Sequence, residues 1–178
     1  MIVKGAGVLL IQKVNRDKVF VLFKNKKNMY MELGGGRDGN ESVYKTAQRE
    51  VCEESYSTVH ISKDTLIDLY KHKKYYDGVH NNRIYRCFFH ELDGDDDVIT
   101  RKAFLKNKNI FKYLLSNNIP IPDYYFETVD VSFFNIDTVR RDIKKNTHTE
   151  YLTNTENIKC KIRDRTIEML QNYILKNK

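Results

Sequence analysis

A glycine-rich loop that runs directly into a helical segment constrains the fold more than any other part of the chain. Four of the 8 glycines lie between positions 34 and 39, where the backbone can take positive φ angles and approach a ligand closely. Residues 41–54 then contain no Gly or Pro. Within them, Val43, Ala47 and Val51 recur every four residues, which predicts a helix with one buried stripe.

Strand and helix patterns alternate along the rest of the chain. Strand patterns cover residues 8–14, 19–24, 58–70, 83–90 and 129–136, and helix patterns cover residues 101–115, 137–145 and about 158–175. Turn residues between the first two strands predict a hairpin, and Asp137 is the expected N-cap of the helix that follows it. Residues 93–97 have the composition of a loop. A chain of 178 residues, 40% of them hydrophobic, has the size and apolar content of one mixed α/β domain, residues 1–178.

Several classes of protein are excluded by what the chain lacks. The longest apolar runs, such as residues 5–11, are far shorter than the roughly 20 residues that span a bilayer. The N-terminus has no apolar segment and cleavage site typical of a secretory signal. The three cysteines, Cys52, Cys87 and Cys160, form no metal-ligand motif or disulfide framework. We therefore expect an intracellular, cytoplasmic protein with reduced thiols and no membrane partner.

Three carboxylates project from one face of the predicted helix. Glu50, Glu53 and Glu54 are spaced i, i+3 and i+4, so their like charges lie side by side. A bound cation would relieve this repulsion, and hard oxygen ligands of this kind suit Mg²⁺ or Mn²⁺. Magnesium commonly shares its coordination shell with substrate phosphates, so the cluster indicates phosphoanhydride cleavage. From the charges alone, an exposed acidic patch is the alternative interpretation.

The whole segment resembles the Nudix box, GX5EX7REUXEEXGU, in which U is a bulky aliphatic residue. Gly35, Glu41, Arg49 and the three glutamates occur at the required spacing, whereas Tyr56 and Ser57 replace the final Gly and aliphatic residue. The missing Gly would end the helix in the left-handed conformation, which is unfavourable for Tyr by about 1 kcal/mol. We therefore expect a rearranged helix end with the activity retained.

The resemblance implies a role for each matching acid. Glu50, Glu53 and Glu54 match the metal-binding residues that also support catalysis, and the carbonyl of Gly34 matches a backbone ligand. Glu127 precedes the last strand, at the position of a late family Glu that acts as a further ligand or as the general base. Other acids compete for the role of base: Glu91, Asp93 and residues 95–97.

Other matching residues are expected to shape the site or to hold the substrate. Gly35 belongs to the loop, and Glu41 and Arg49 match the pair that ties this loop to the helix, which is a structural role. Lys24 and Arg37 lie near the loop in sequence and are candidates to stabilise charge on the non-reacting phosphates.

The resemblance also implies the fold and the reaction. It predicts an α/β/α sandwich with a mixed β-sheet and an inserted basic helix at about residues 101–116. The expected activity is that of a pyrophosphatase, in which water attacks a phosphorus of a nucleoside diphosphate linked to another moiety. The sequence leaves the oligomeric state open, although many relatives form homodimers.

The sequence narrows the substrate only in part. No Pro occurs between residues 57 and 120, which disfavours the subgroup that cleaves ADP-ribose. A Tyr about eighteen residues after the box is typical of dinucleoside polyphosphate hydrolases, and Tyr75 or Tyr76 could match it, with Tyr75 as our candidate for substrate binding.

Charge distribution supports a second hypothesis, cleavage of the mRNA cap. Residues 99–178 contain 15 Lys and Arg against 9 Asp and Glu, and so carry +6 of the net charge of +7. The cations around residues 101–112 and 159–165 are interleaved with aromatic residues, a mixture that can follow an RNA backbone. Solvated helix faces and core aromatics explain the same pattern. A third hypothesis is a catalytically silent nucleotide- or RNA-binding domain, against which the intact acids argue.

Overall fold

The computed structural model describes residues 2–80, 82–92 and 98–177. Its helices are α1 (Val43–Glu54), α2 (Lys63–Lys71), α3 (Arg101–Ser116), α4 (Ile136–Lys145) and α5 (Asp164–Lys176). Its strands are β1 (Val3–Val14), β2 (Asp17–Asn25), β3 (Tyr30–Met31), β4 (Leu33–Gly36), β5 (Tyr75–His80), β6 (Arg83–Leu92), β7 (Thr128–Asn135), β8 (Tyr151–Thr153) and β9 (Lys159–Lys161), with a 3₁₀ turn at Asp123–Phe126. In the described residues, no helix is both long and apolar enough to span a membrane.

Strand β1 is the centre of a seven-stranded mixed sheet. One edge of β1 pairs in parallel with β6, which continues to β5 in antiparallel. The other edge is shared, because its first half pairs with β4 and its second half with β2. Strand β2 in turn pairs with β7. The expected hairpin and mixed sheet are therefore present, and the glycine-rich loop begins from a strand inside the sheet.

Alternating side chains of β1 build two cores on opposite faces of the sheet. Leu9 and Ile11 pack with residues of α4 and α5, whereas Val8 and Leu10 pack with residues of α1, α2 and α3. Alternation of this kind is expected of a strand covered on both sides. The architecture is thus the predicted α/β/α sandwich, and the basic helix is present as α3.

Two predictions between α1 and β6 are wrong. Residues 58–70 were expected to form a strand, but Ser62 caps helix α2 by accepting a hydrogen bond from the backbone N–H of Thr65. Leu66 and Leu69 lie one turn apart and are both buried, so burial follows the helical period rather than the strand period. Residues 75–80, which lie in the gap between the predicted strands 58–70 and 83–90, form β5.

The C-terminal helix starts later than predicted. Helix α5 begins at Asp164, not at about residue 158, because Cys160 and Ile162 are buried while Lys159 and Lys161 are exposed. Burial thus alternates with every residue, as in a strand, and this segment forms β9 before the helix begins.

The N-cap of α4 was also assigned to the wrong residue. Asn135, not Asp137, caps the helix, because its side chain accepts hydrogen bonds from the N–H groups of Asp137 and Thr138. The loop predicted at residues 93–97 lies outside the described residues.

Candidate active site

The glycine-rich loop lies against α1, and at Gly35 there is no space for a side chain. The N–H of Gly34 donates to Glu54 Oε2 at 2.6 Å. A Cβ on Gly35 would overlap the carboxylate of Glu50. The loop therefore needs Gly at position 35 so that its backbone can contact two of the acids on α1.

Arg49 joins the loop to the helix. Its guanidinium donates to Glu41 at 3.1 Å and to the carbonyl oxygen of Gly36 at 2.9 Å. The other side of the same group donates to Glu50 at 2.9 Å and to Glu53 at 3.1 Å. Arg49 and Glu41 thus occupy the bracing position that the resemblance implies. Arg49 also offsets part of the negative charge of the acids.

Two opposing effects set the pKa values in this brace. Burial alone would raise the pKa of Glu41, but hydrogen bonds from Arg49, the backbone and Thr46 lower it overall. Burial likewise works against the charged form of Arg49, yet its hydrogen bond to Glu41 and the nearby carboxylates raise its pKa. Both groups are therefore charged at neutral pH, as a stable ion pair requires.

The three acids on α1 share a crowded and poorly solvated position. Burial, opposed by Arg49 and reinforced by the charges of Glu53 and Glu127, raises the pKa of Glu50 to about 7. Burial also raises the pKa of Glu53. The pKa of Glu54 lies well above its usual value because the side chain is buried and because Glu50 is nearby. Excess negative charge at this position is what a cation would neutralise.

The end of α1 is not rearranged, contrary to the sequence expectation. Tyr56 has φ 51° and Ser57 has φ 55°, so a Tyr takes the left-handed conformation itself. The N–H of Ser57 bonds to the carbonyl oxygen of Cys52 at 2.8 Å, which is the long closing bond of a Schellman end. The backbone therefore keeps the geometry that a Gly would have given.

The side chain of Tyr56 is buried in the core, where it offsets the backbone strain. It is fully buried, and its hydroxyl donates to the carbonyl oxygen of Thr128 at 2.8 Å. Its ring packs edge-on against Phe104 at 5.4 Å and Phe111 at 5.6 Å between centroids. Since Thr128 also donates through its own hydroxyl to the carbonyl oxygen of Glu54, Tyr56 fixes the helix end against β7.

A cleft of about 940 Å³ opens beside the glycine-rich loop. The predicted site residues that line it are Gly34, Gly35, Arg49, Glu50, Glu53, Glu54 and Glu127. Glu127 is exposed at the end of the 3₁₀ turn, where its carbonyl oxygen accepts a hydrogen bond from Lys26 N–H at 3.2 Å. The fold thus brings a residue from just before β7 to the acids of α1. Glu91 lies on β6 outside the cleft and accepts bonds from Lys18 and Tyr173.

The three predicted substrate-binding residues do not line this cleft. Arg37 donates to the carbonyl oxygens of Val3 and Glu41, which makes it a brace of the loop. Lys24 lies 5.9 Å from the ring centroid of Tyr30. Tyr75 stacks on Tyr70, with 5.0 Å between centroids, near the C-terminal end of α5. The prediction that Lys24 and Arg37 reach the cleft because they are close to the loop in sequence is therefore wrong.

Sequence analysis missed Arg163, Arg165 and Glu32. Both arginines line the cleft, and Glu32 is a fully buried carboxylate that pairs with Arg165. The alternation of buried and exposed residues before α5 could have predicted their position. It indicates a strand up to residue 162 and therefore places both arginines at the start of the helix. A charged Glu32 between two apolar residues was a second signal, because a buried charge needs a partner.

The residues present are of the kind that holds Mg²⁺ or Mn²⁺ from one side. Among the described residues, no three acidic, His or Cys side chains form a ready-made cage for a metal ion. Magnesium is usually bound through one or two carboxylates, with water and substrate phosphates as the other ligands. The carboxylates of Glu50, Glu53 and Glu54, whose negative charge Arg49 offsets only in part, suit that mode of binding.

Comparison with known proteins identifies the fold. No family model and no curated protein matches the sequence. An Ap4A hydrolase from C. elegans, solved as a binary complex, superposes with a TM-score of 0.55 over 98% of both chains at 14% identity. The NUDIX domain of Shewanella oneidensis NrtR, complexed with ADP ribose, superposes with a TM-score of 0.53 over 99% of this chain and 88% of that one at 9% identity. The chain has a Nudix fold. In this Nudix fold, the resemblance read from residues 35–54 falls on the loop and helix that line the cleft.

Proposed function

We propose that this protein is a divalent-metal-dependent pyrophosphohydrolase that cleaves the phosphoanhydride bond of a nucleoside diphosphate linked to another moiety. The observation that carries the proposal is one cleft in which Glu50, Glu53, Glu54 and Glu127 meet the backbone of the glycine-rich loop. Both structural neighbours support it, since one is an Ap4A hydrolase and the other holds ADP ribose.

Glu50, Glu53, Glu54 and the carbonyl of Gly34 are the proposed ligands of Mg²⁺ or Mn²⁺. When bound, the metal polarises the P–O bonds and lowers the pKa of a nucleophilic water. Arg49 holds Glu50 and Glu53 by hydrogen bonds at 2.9 and 3.1 Å. It therefore keeps these two side chains on the cleft side of α1 before the ion arrives.

Glu127 is the proposed general base. It lines the cleft from outside α1 and, within the described residues, forms no ion pair. An exposed carboxylate facing the acid row can accept the proton of the attacking water. Its backbone is fixed to the loop at Lys26, which limits where the side chain can reach.

Hydrolysis of a substrate panel tests the proposal. Wild-type protein with Mg²⁺ is expected to release phosphate-containing products from nucleoside diphosphate derivatives, while Glu53→Gln and Glu54→Gln lose activity by at least about 100-fold. Glu156→Gln is the matched control, because this glutamate is exposed and lies outside the cleft. Equal activity of Glu53→Gln and wild type would overturn the proposal. Ligand binding without turnover by wild type would favour the silent binder.

Capped RNA is a second candidate substrate, favoured by the outer face of α3. The helix contains five Lys and Arg and no acid, and a groove of about 820 Å³ on it is lined by Lys102, Lys106, Ile110 and Tyr113, among others. Tyr113 is 67% exposed and free to stack on a base. By contrast, Phe104 is buried and Phe111 packs against the core, so most aromatics of this region are core residues.

Salt dependence separates the two substrates. Cleavage of capped RNA should fall steeply between low and physiological salt, because cations on α3 would release counterions on binding. Tyr113→Ala should weaken RNA cleavage and leave small nucleotides unaffected. Turnover of small nucleotides with capped RNA untouched would exclude this second candidate.

A further inference from the structure

The start of α5 brings cations to the cleft that contains the carboxylates. Arg163 is the N-cap residue of α5 and Arg165 lies in its first turn. Strand β9 leads into the cleft, because Ile162 bridges to Tyr30 and the N–H of Arg163 bonds to the carbonyl oxygen of Tyr30 at 3.0 Å. The backbone on either side of both arginines is therefore fixed. The positive end of the α5 dipole adds to their charge.

Arg165 is held in one orientation by three contacts. Its Nε donates to Glu32 at 2.8 Å, and its guanidinium carbon lies 3.7 Å from the ring centroid of Tyr85. Its Nη2 lies 3.4 Å from the carbonyl oxygen of Gly34. Because the N–H of Gly34 bonds to Glu54, the backbone of this one residue contacts both the cationic side of the cleft and the acids. The arginines therefore lie directly beside the proposed metal ligands.

Tyr85 supplies the flat surface beneath Arg165. Its ring fills the space left by Gly5, Gly7 and Gly34, where added side chains would overlap it. Its buried hydroxyl has no hydrogen-bond partner within the described part of the chain. An unpaired buried hydroxyl is costly, and Tyr85 is also one of the residues that line the cleft. The polar groups here are thus incompletely satisfied by the protein alone.

Arg163 has no carboxylate partner in the described residues. Its guanidinium donates to the sulfur of Met31 at 3.8 Å, and the side chain is half-buried. Four further cations of the cleft also lack a carboxylate partner in the described ranges: Lys4, Lys26, Lys27 and Arg83. The charge of Glu32 reaches Arg163 but is already paired directly with Arg165. The partly desolvated guanidinium of Arg163 thus lacks an anion of its own, which favours a ligand that supplies negative charge.

We infer that Arg163 and Arg165 form a phosphate subsite beyond the reacting linkage, and that the preferred substrate is a nucleotide with a linear chain of three or more phosphates. This inference rests on the proposed function and deepens it. Two phosphates of the reacting linkage would lie on the side of the cleft where Glu50, Glu53 and Glu54 would hold the metal ion. The next phosphate meets Arg163 and Arg165, whose donors suit its oxygens.

Binding of non-hydrolysable ligands tests the subsite separately from catalysis. The probes are methylenediphosphonate and its bis-methylene triphosphonate homologue, titrated into full-length protein with Mg²⁺. We expect the three-phosphorus probe to bind at least about tenfold tighter. Arg163→Gln should remove that advantage and leave binding of the two-phosphorus probe nearly unchanged. Arg163→Lys should restore part of it.

Lys159→Gln is the control, since this cation is exposed on β9 outside the cleft. Equal binding of both probes by wild type, or an equal loss for both probes in Arg163→Gln, would overturn the subsite. Binding needs no turnover. An inactive protein that still prefers the longer probe would refute the proposed function alone, whereas an active protein without that preference would refute the subsite alone.

Kinetics supply a second readout. With nucleoside triphosphates as substrates, Arg163→Gln should raise KM at least about tenfold with little change in kcat, because the subsite binds a non-reacting phosphate. A loss confined to kcat would overturn the inference. Arg165→Lys keeps the charge beside Glu32 and so tests the second arginine without leaving a buried carboxylate unpaired.

Discussion

Tyr56 takes a backbone conformation that disfavours its own residue type, and its side chain explains why. The left-handed φ of 51° costs about 1 kcal/mol for a residue with a Cβ. The buried ring and the hydrogen bond to Thr128 offset this cost. Substitution at the position therefore changes two opposing contributions at once.

Tyr56→Gly should destabilise the protein by about 2 to 4 kcal/mol, although it removes the backbone strain. Loss of a fully buried aromatic side chain typically costs about 3 to 5 kcal/mol, which exceeds the strain relieved. Tyr56→Phe should cost about 1 to 2 kcal/mol through the lost hydrogen bond. Denaturant unfolding measures both. A Tyr56→Gly variant more stable than wild type would contradict this account of the helix end.

Glu50 should make the metal-free protein less stable as the pH rises from about 4.5 to 7. Its pKa is raised from 4.5 to about 7 by burial, so the folded state keeps a proton that the unfolded state has lost. Stability from this group is fully present below pH 4.5 and falls by at most about 3 kcal/mol across that window. Glu53 and Glu54 shift in the same direction.

Unfolding free energies measured in a chelator between pH 4.5 and 8 check this prediction. Glu50→Gln should flatten the profile. Glu41 and Glu32 have lowered pKa values. Their contributions to stability therefore change with pH only below about 4.5 and do not affect the range measured here. Stability that increases with pH between 5 and 7 would show that the acids are already neutralised by the protein.

At the scale of elements, a buried ion pair fastens α5 to the sheet. Glu32 lies between β3 and β4, is fully buried, and accepts hydrogen bonds from Arg165 and Thr166. Burial would raise its pKa, but Arg165 and Thr166 lower it overall. The pair therefore sets where the helix begins relative to the cleft.

Arg165→Met should destabilise the protein by about 3 to 5 kcal/mol, because it leaves Glu32 buried without a partner. The double variant Arg165→Met with Glu32→Gln should be more stable than Arg165→Met alone. Thermal or denaturant unfolding of wild type, both single variants and the double variant measures the coupling. Arg140→Met is the control, since its partner Asp137 is 78% exposed and surface pairs contribute less than about 1 kcal/mol. A stable Arg165→Met variant would show that Glu32 is protonated in the fold.

At the scale of the whole molecule, metal binding should stabilise the fold. Mg²⁺ is expected to raise the thermal midpoint at pH 8 in wild type and much less in Glu53→Gln, because a ligand of the folded state shifts unfolding by mass action. Scanning calorimetry at several Mg²⁺ concentrations measures this shift. The control is Glu156→Gln, which should respond as wild type. An equal shift in Glu53→Gln would place the metal elsewhere.

Sequence patterns predicted the parts of the fold that depend on local signals. The four-residue spacing of Val43, Ala47 and Val51 gave α1, and the hairpin and mixed sheet followed from alternation and from the family resemblance. Residues 58–70 were misread because β-branched and aromatic residues mask the cap at Ser62. Arg163 and Arg165 were missed because their approach to the cleft depends on pairing between β9 and distant segments, which no local pattern encodes.

The position of α5 has a consequence for how the protein is made. One side of the cleft comes from residues near the C-terminal end of the chain, whereas the acids come from residues 50–54. A ribosome releases the acids early and Arg163 and Arg165 more than a hundred residues later. A nascent chain can therefore form the loop and α1 while its cleft still lacks a wall. The proposed binding of a third phosphate by Arg163 and Arg165 would begin only once synthesis has passed α5.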